Sequence, residues 1–144
     1  MKTKIHFFSE DTDFIIKQKT LLRKWISDTI KKEEHLVGDL NFIFCSDEYL
    51  LQINQEYLNH DIYTDIITFD NSETEKEISG DIYISVARVK ENALNLGVKE
   101  PEELRRVIIH GVLHLAGYLD KSETDKTLMT EKEDYYLSRF HQDT

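Results

Sequence analysis

Asp65-Ile66-Ile67-Thr68-Phe69, the polar stretch 71–77 and then Asp81-Ile82-Tyr83-Ile84-Ser85-Val86 form the segment from which the fold can be read outward. The first run is rich in β-branched and aromatic side chains, and the second alternates apolar with polar, the period of a half-buried strand. Strands joined by so short a polar connection pair antiparallel, because parallel neighbours need a crossover of about a dozen residues or more. Upstream, 4–8 reads as a first strand. Glu10, Asp11 and Asp13 then read as the acidic first turn of a helix running to about Lys32, with Phe14, Ile15, Leu21, Leu22, Trp25, Ile26 and Ile30 as its core stripe. A short strand at 40–45 and a second helix carrying Leu50, Ile53 and Tyr57 follow, each helix being expected to cross over between parallel strands. Downstream, a helical pattern over 87–96 breaks at Gly97, and Pro101 opens a helix that Gly117 ends. Ser122-Glu123-Thr124-Asp125 is a capping-box-like start for a last helix with Leu128, Met129, Tyr136 and Phe140. The order βαβαββααα predicts an α+β fold, a four-stranded mixed β-sheet covered by helices, with residues 1–144 as one domain free of repeats and linkers.

Composition narrows the function. The 144 residues are 40% apolar and 32% charged, enough to build a core and unlike a disordered chain. With 18 Lys and Arg against 28 Asp and Glu, the net charge is −10, which argues against gripping nucleic acid by overall basicity and leaves only a local basic groove. Cys45 is the single cysteine, so no internal disulfide forms, and in an apolar strand it reads as a small buried hydrophobe. The first residues are too briefly apolar for a signal peptide, and no run approaches the ~20 residues of a membrane helix. The expected setting is the cytoplasm, with no membrane partner.

The chemistry concentrates in Val107-Ile108-Ile109-His110-Gly111-Val112-Leu113-His114-Leu115-Ala116-Gly117-Tyr118-Leu119-Asp120. His110 and His114 are four apart on a helix, so their imidazoles leave one face a turn apart and can share a cation. Gly117 can adopt the left-handed conformation that turns the chain back, bringing Asp120 to a third ligand place. Histidines at i and i+4 also occur as core or capping pairs. The helix-stopping glycine and the spaced carboxylate favour ligation. The spacing is similar to the long zinc motif of metzincin peptidases, but Gly111 stands where such enzymes carry their general-base glutamate, which weighs against peptide hydrolysis.

His110-Gly111-x-Leu113-His114-Leu115-x-Gly117-Tyr118 resembles the signature of the YbeY family. Asn54-x-x-Tyr57 with Thr64-Asp65-Ile66-Ile67-Thr68-Phe69, and Gly80-Asp81-Ile82-x-Ile84-Ser85, resemble its strand motifs, so the likeness spans essentially the whole chain. The resemblance implies a metal-dependent endoribonuclease of rRNA maturation and ribosome quality control, with RNA, notably rRNA, and ribosomal proteins or other ribosome-associated factors as partners. Two departures stand out. Asp120 takes the place of the family's usual third histidine ligand, with Leu119 where aspartate is common, and Leu58 replaces an arginine commonly found after the tyrosine. A carboxylate still closes a three-ligand site but leaves the ion less positive, and Leu58 removes a bidentate phosphate contact.

On this reading His110, His114 and Asp120 hold one divalent ion per chain, with Zn²⁺ inferred, in a metal-dependent hydrolase cutting single-stranded RNA in preference to duplex. The catalytic groups beyond the ion are open. His60 could become cationic near a phosphate or be a surface loop histidine, and Thr64 could touch substrate or serve a turn. Arg88, Lys90, Arg105 and Arg106 could line an RNA groove, although solvated helix faces use the same residues; Asn54 reads as structural. The rival is a ribosome-assembly or RNA-protein binding factor whose metal is structural and whose catalysis is vestigial, which Leu58 and the negative charge favour.

Overall fold

The computed structural model describes residues 4–58 and 64–142. Its elements are β1 (Ile5–Glu10), α1 (Lys19–Lys32), β2 (Leu36–Cys45), α2 (Asp47–Leu58), β3 (Ile66–Asp70), β4 (Glu77–Ser85), α3 (Val86–Leu96), α4 (Glu100–Leu115) and α5 (Glu123–Gln142). The expected βαβαββααα order and four-stranded mixed sheet are found, with the strands arranged β1-β2-β4-β3. β1 and β4 both run parallel to β2, and β3 closes one edge antiparallel to β4, Ile66 facing Ile84 and Asp70 facing Gly80.

Two expectations change. α1 is a crossover between parallel neighbours, but α2 is not: β4 lies between β2 and β3, and β3 runs against both. The first helix begins at Lys19 rather than at the acidic residues after β1. Phe14 packs on Phe44 at 5.2 Å between ring centroids and Ile16 is buried, whereas Ile15 between them is 74% exposed. That alternation is the two-residue period of an extended segment, and Ser9 Oγ fixes it by donating to the Phe14 carbonyl at 2.6 Å. The segment enters α1 through Gln18 in a left-handed conformation, φ 59°.

One face of the sheet carries Phe42, Phe44, Ile82 and Ile84 against Trp25 and Ile26 of α1, Ile108 and Val112 of α4 and Tyr136 of α5. Each such side chain contributes about 1.5–3 kcal/mol on full burial. The Trp25 indole N–H donates to the Tyr136 carbonyl at 2.7 Å, so burying the ring leaves no polar atom unsatisfied there. The opposite face has a smaller cluster, Leu50 and Ile53 of α2 with Cys45 and Ile67. In α5 Leu128 is exposed, so its inward stripe runs through Met129, Glu133, Tyr136 and Phe140. Gly111 sets how closely α4 lies on the sheet: a Cβ there would come within 2.9 Å of Ile66 Cδ1 and 3.1 Å of Ile82 Cγ2. Its neighbour His110 and the next turn's His114 are thereby held over the β3 edge. Among the described residues no helix is long and apolar enough to cross a membrane.

Candidate metal centre

α4 starts with Pro101 in its first turn and acidic Glu100, Glu102 and Glu103, which suit the positive end of the helix dipole. It ends in a double-bonded cap: Tyr118 N–H donates to Leu113 O at 3.1 Å and Gly117 N–H to His114 O at 3.1 Å, with Gly117 at φ 108°. This is the Schellman arrangement, which needs a residue that tolerates positive φ at the Gly117 position. The chain reverses there and returns Asp120 to the histidine face.

The result is a compact three-ligand group. The rings of His110 and His114 lie 5.9 Å apart and 13° from parallel, and His110 Nε2 is 3.5 Å from Asp120 Oδ2. One ligand atom from each of the three residues falls within 4.8 Å of the others. Tetrahedral zinc with ligands at roughly 2.0–2.2 Å holds them about 3.3 Å apart, so the group needs only a small contraction. The other ring nitrogens are committed: His110 Nδ1 donates to Glu133 Oε2 at 2.7 Å, and His114 Nδ1 to the Tyr118 carbonyl at 3.0 Å. Both acceptors are oxygens that take a proton-bearing nitrogen, which leaves each Nε2 lone pair for a cation. A carboxylate and a carbonyl in these places are the partners that orient metal-binding histidines. The donor set therefore fits a divalent ion such as Zn²⁺.

A cavity of about 400 Å³ opens over this group, lined also by Thr64, Asp65, Thr68, Glu103, Arg106 and Glu133. Burial pushes the His110 imidazole down, but the hydrogen bond and charge of Glu133, with Asp120 and Asp65, outweigh it and raise the pKa. Burial raises the Glu103 carboxyl, which Arg106 only partly opposes. Arg106 itself is tied to Glu133 at 2.8 Å and Asp134 at 2.6 Å.

The residues singled out from sequence separate clearly. His110, His114 and Asp120 come together, and Thr64 lines the cavity while its hydroxyl leans on the Ile66 carbonyl at 3.4 Å. His60 lies outside the described residues. Arg106 is a cavity residue braced by two acids rather than a solvated cation, and Arg105 stacks on Phe140 at 4.5 Å, away from the site. Arg88 pairs with Asp47 at 3.0 Å and Glu91 at 3.4 Å, while Lys90 is exposed. Asn54 is buried, in keeping with a structural role, and Leu58 ends α2 at 41% exposure. Burial pushes the Cys45 thiol up to about 12, so it stays protonated and inert. The residue missed from sequence is Glu133. Its signal was a carboxylate inside the apolar stripe of α5, where a charge must find a buried partner.

Known proteins similar to this chain share one family description. The sequence model of the family described as Endoribonuclease YbeY matches residues 5–141. A Cytophaga hutchinsonii protein named Endoribonuclease YbeY is 52% identical over 134 residues, 93% of this chain and 94% of that one. A Flavobacterium psychrophilum protein of the same name is 53% identical over 134 residues, 93% of this chain and 95% of that one. The solution structure of TM1509 from Thermotoga maritima is similar with a TM-score of 0.69 and 31% identity, covering 96% of this chain and 90% of that one. With the model match running nearly end to end and half the residues shared with these relatives, the chain belongs to the YbeY family.

Proposed function

We propose that this chain is a metal-dependent endoribonuclease acting as one domain on unpaired RNA, in rRNA maturation and ribosome quality control. The observation that carries the proposal is the convergence of His110 Nε2, His114 and Asp120, with both Nδ1 atoms already engaged by Glu133 and the Tyr118 carbonyl. The relatives' shared name supplies the substrate class. Zn²⁺ is the resident ion this reading assigns, and when bound it supplies Lewis-acid polarisation of a phosphodiester. The chain's own residues orient and enclose. Glu133 holds the His110 ring in the tautomer that leaves Nε2 free, and Arg106 braces the other oxygen of that carboxylate at 2.8 Å. Thr64 and Thr68 offer hydroxyls on one cavity wall, suited to sugar and phosphate oxygens. Glu103 is a carboxyl whose raised pKa lets it hold a proton closer to neutrality than an exposed glutamate does. A cleft of this size admits a single strand more readily than a duplex.

A second reading rests on the same cavity. Its arginine, Arg106, is already neutralised by Glu133 and Asp134, and the whole chain carries −10, which favours an RNA-protein binding factor with a structural metal. Cleavage of a single-stranded rRNA fragment by wild type and His114→Ala, with and without chelator, separates the two. Cleavage lost on chelation and in His114→Ala supports the nuclease. Binding without cleavage, lost on the same treatments, supports the assembly factor.

A further inference from the structure

Glu33 is the C-cap of α1, where the negative end of the helix dipole disfavours a carboxylate. Its side chain is nonetheless only 11% exposed and is fully engaged. The Tyr118 hydroxyl donates to Oε1 at 2.6 Å, and Oε2 accepts from Lys132 Nζ at 3.3 Å and from the Tyr136 hydroxyl. The residue is also rigidly placed, because α1 ends in its own double-bonded cap: His35 N–H donates to Ile30 O and Glu34 N–H to Lys31 O, with Glu34 at φ 64°. One carboxylate thus fastens three pieces of chain: the end of α1, the turn after α4 and one face of α5.

Two of these three partners lie at or next to the acceptors of both histidines. Tyr118, held through its hydroxyl, presents its carbonyl to His114 Nδ1 and is followed two residues later by Asp120. Lys132, held through its ammonium, immediately precedes Glu133, the acceptor of His110 Nδ1. Helix α5 is long, and the turn 117–122 between it and α4 has no regular secondary structure, so the placement of the turn depends on such ties. Resting on the metal reading above, we propose that Glu33 is a positioning residue for the metal centre, fixing through Tyr118 and Lys132 the acceptors that aim both imidazoles and the turn that delivers Asp120.

The test is Zn²⁺ affinity, measured at 25 °C by competition with a chromophoric chelator on full-length folded protein, together with the visible absorption of the Co²⁺ form. Tyr118→Phe and Glu33→Ala are each expected to weaken Zn²⁺ binding about tenfold and to shift the Co²⁺ bands, the scale usual for removing a partner of a metal-binding histidine. Glu33→Gln keeps an oxygen for the Tyr118 hydroxyl and should recover part of the loss. The Glu33→Ala, Tyr118→Phe double variant should bind no more weakly than Glu33→Ala, because both changes break one chain of contacts. Should Glu33→Ala fail to fold, Tyr118→Phe, which deletes a single oxygen, decides the matter. Variants that melt earlier yet keep wild-type affinity and Co²⁺ spectrum would reduce Glu33 to a stability element and overturn the inference. A wild-type chain that binds no ion overturns the metal reading and this inference with it.

Discussion

Glu133 Oε2 lies 2.7 Å from His110 Nδ1, while Oε1 of the same carboxylate lies 2.8 Å from the Arg106 guanidinium. A side chain on α5 thus selects the tautomer of a histidine on α4, and an arginine one turn before that histidine braces the selector's other oxygen. Truncation to Glu133→Ala leaves the ring unaimed and Arg106 short of a partner. Zn²⁺ affinity should fall about 10- to 100-fold, and Glu133→Gln, whose amide oxygen still accepts, should lose less. A competition titration at constant pH checks the order wild type, Gln, Ala.

Acid stability follows from Glu33. Burial on its own would raise this carboxyl, but the Tyr118 and Tyr136 hydroxyls and the Lys132 ammonium outweigh it and hold the group below its ordinary value of 4.5. A folded-state pKa below the unfolded one contributes stability in full above the unfolded value and loses it as pH falls through the folded value. Glu33→Gln should therefore be less stable than wild type near neutrality, with the gap closing as pH drops below 4.5. Urea melts of metal-free protein from neutral to acid pH read the difference, and a gap that widens toward acid contradicts the assignment.

Asp120→His should fold, since Asp120 sits after the turn with 42% of its side chain exposed. A third imidazole exchanges a hard anionic ligand for a neutral nitrogen, which shifts preference toward ions that favour nitrogen, such as Cu²⁺, Ni²⁺ and Zn²⁺ over Mn²⁺. Paired affinity measurements with Zn²⁺ and Mn²⁺ on wild type and variant give the ratio; an unchanged ratio removes Asp120 from the ligand set.

Leu58 ends α2 at 41% exposure, so an arginine there need not enter the core. Leu58→Arg is expected to melt within about ±0.5 kcal/mol of wild type, as surface changes do. If the position borders the RNA path, single-stranded RNA should bind more tightly with a salt slope steeper by about 0.7, one added phosphate contact. A stable variant with unchanged affinity and slope places residue 58 outside that path.

The parts of the molecule legible in sequence were those set by local periodicity. The β3–β4 hairpin showed in its alternation, and the clustering of His110, His114 and Asp120 showed because a helix puts i and i+4 on one face and Gly117 announces the reversal toward Asp120. The segment before α1 misled because Phe14, Ile15 and Ile16 suit either period until Phe44 is in place across from them. The insertion of β4 between β2 and β3 is a pairing choice between distant segments, invisible to any local pattern. The partners of Glu133 and Glu33 were hidden for the same reason: they lie 23 and 85 residues away, and only the packing of α5 and α1 on α4 brings them together, although the place of Glu133 in the apolar stripe of α5 marked it as needing a partner.

The most direct test is the metal content of purified, untagged protein by elemental analysis, wild type beside the His110→Ala, His114→Ala double variant. Wild type should carry about one divalent transition ion per chain and the folded double variant almost none, because two of the three ligand atoms are gone. Full occupancy in the double variant would place the ion elsewhere and contradict the site on which the proposed function stands.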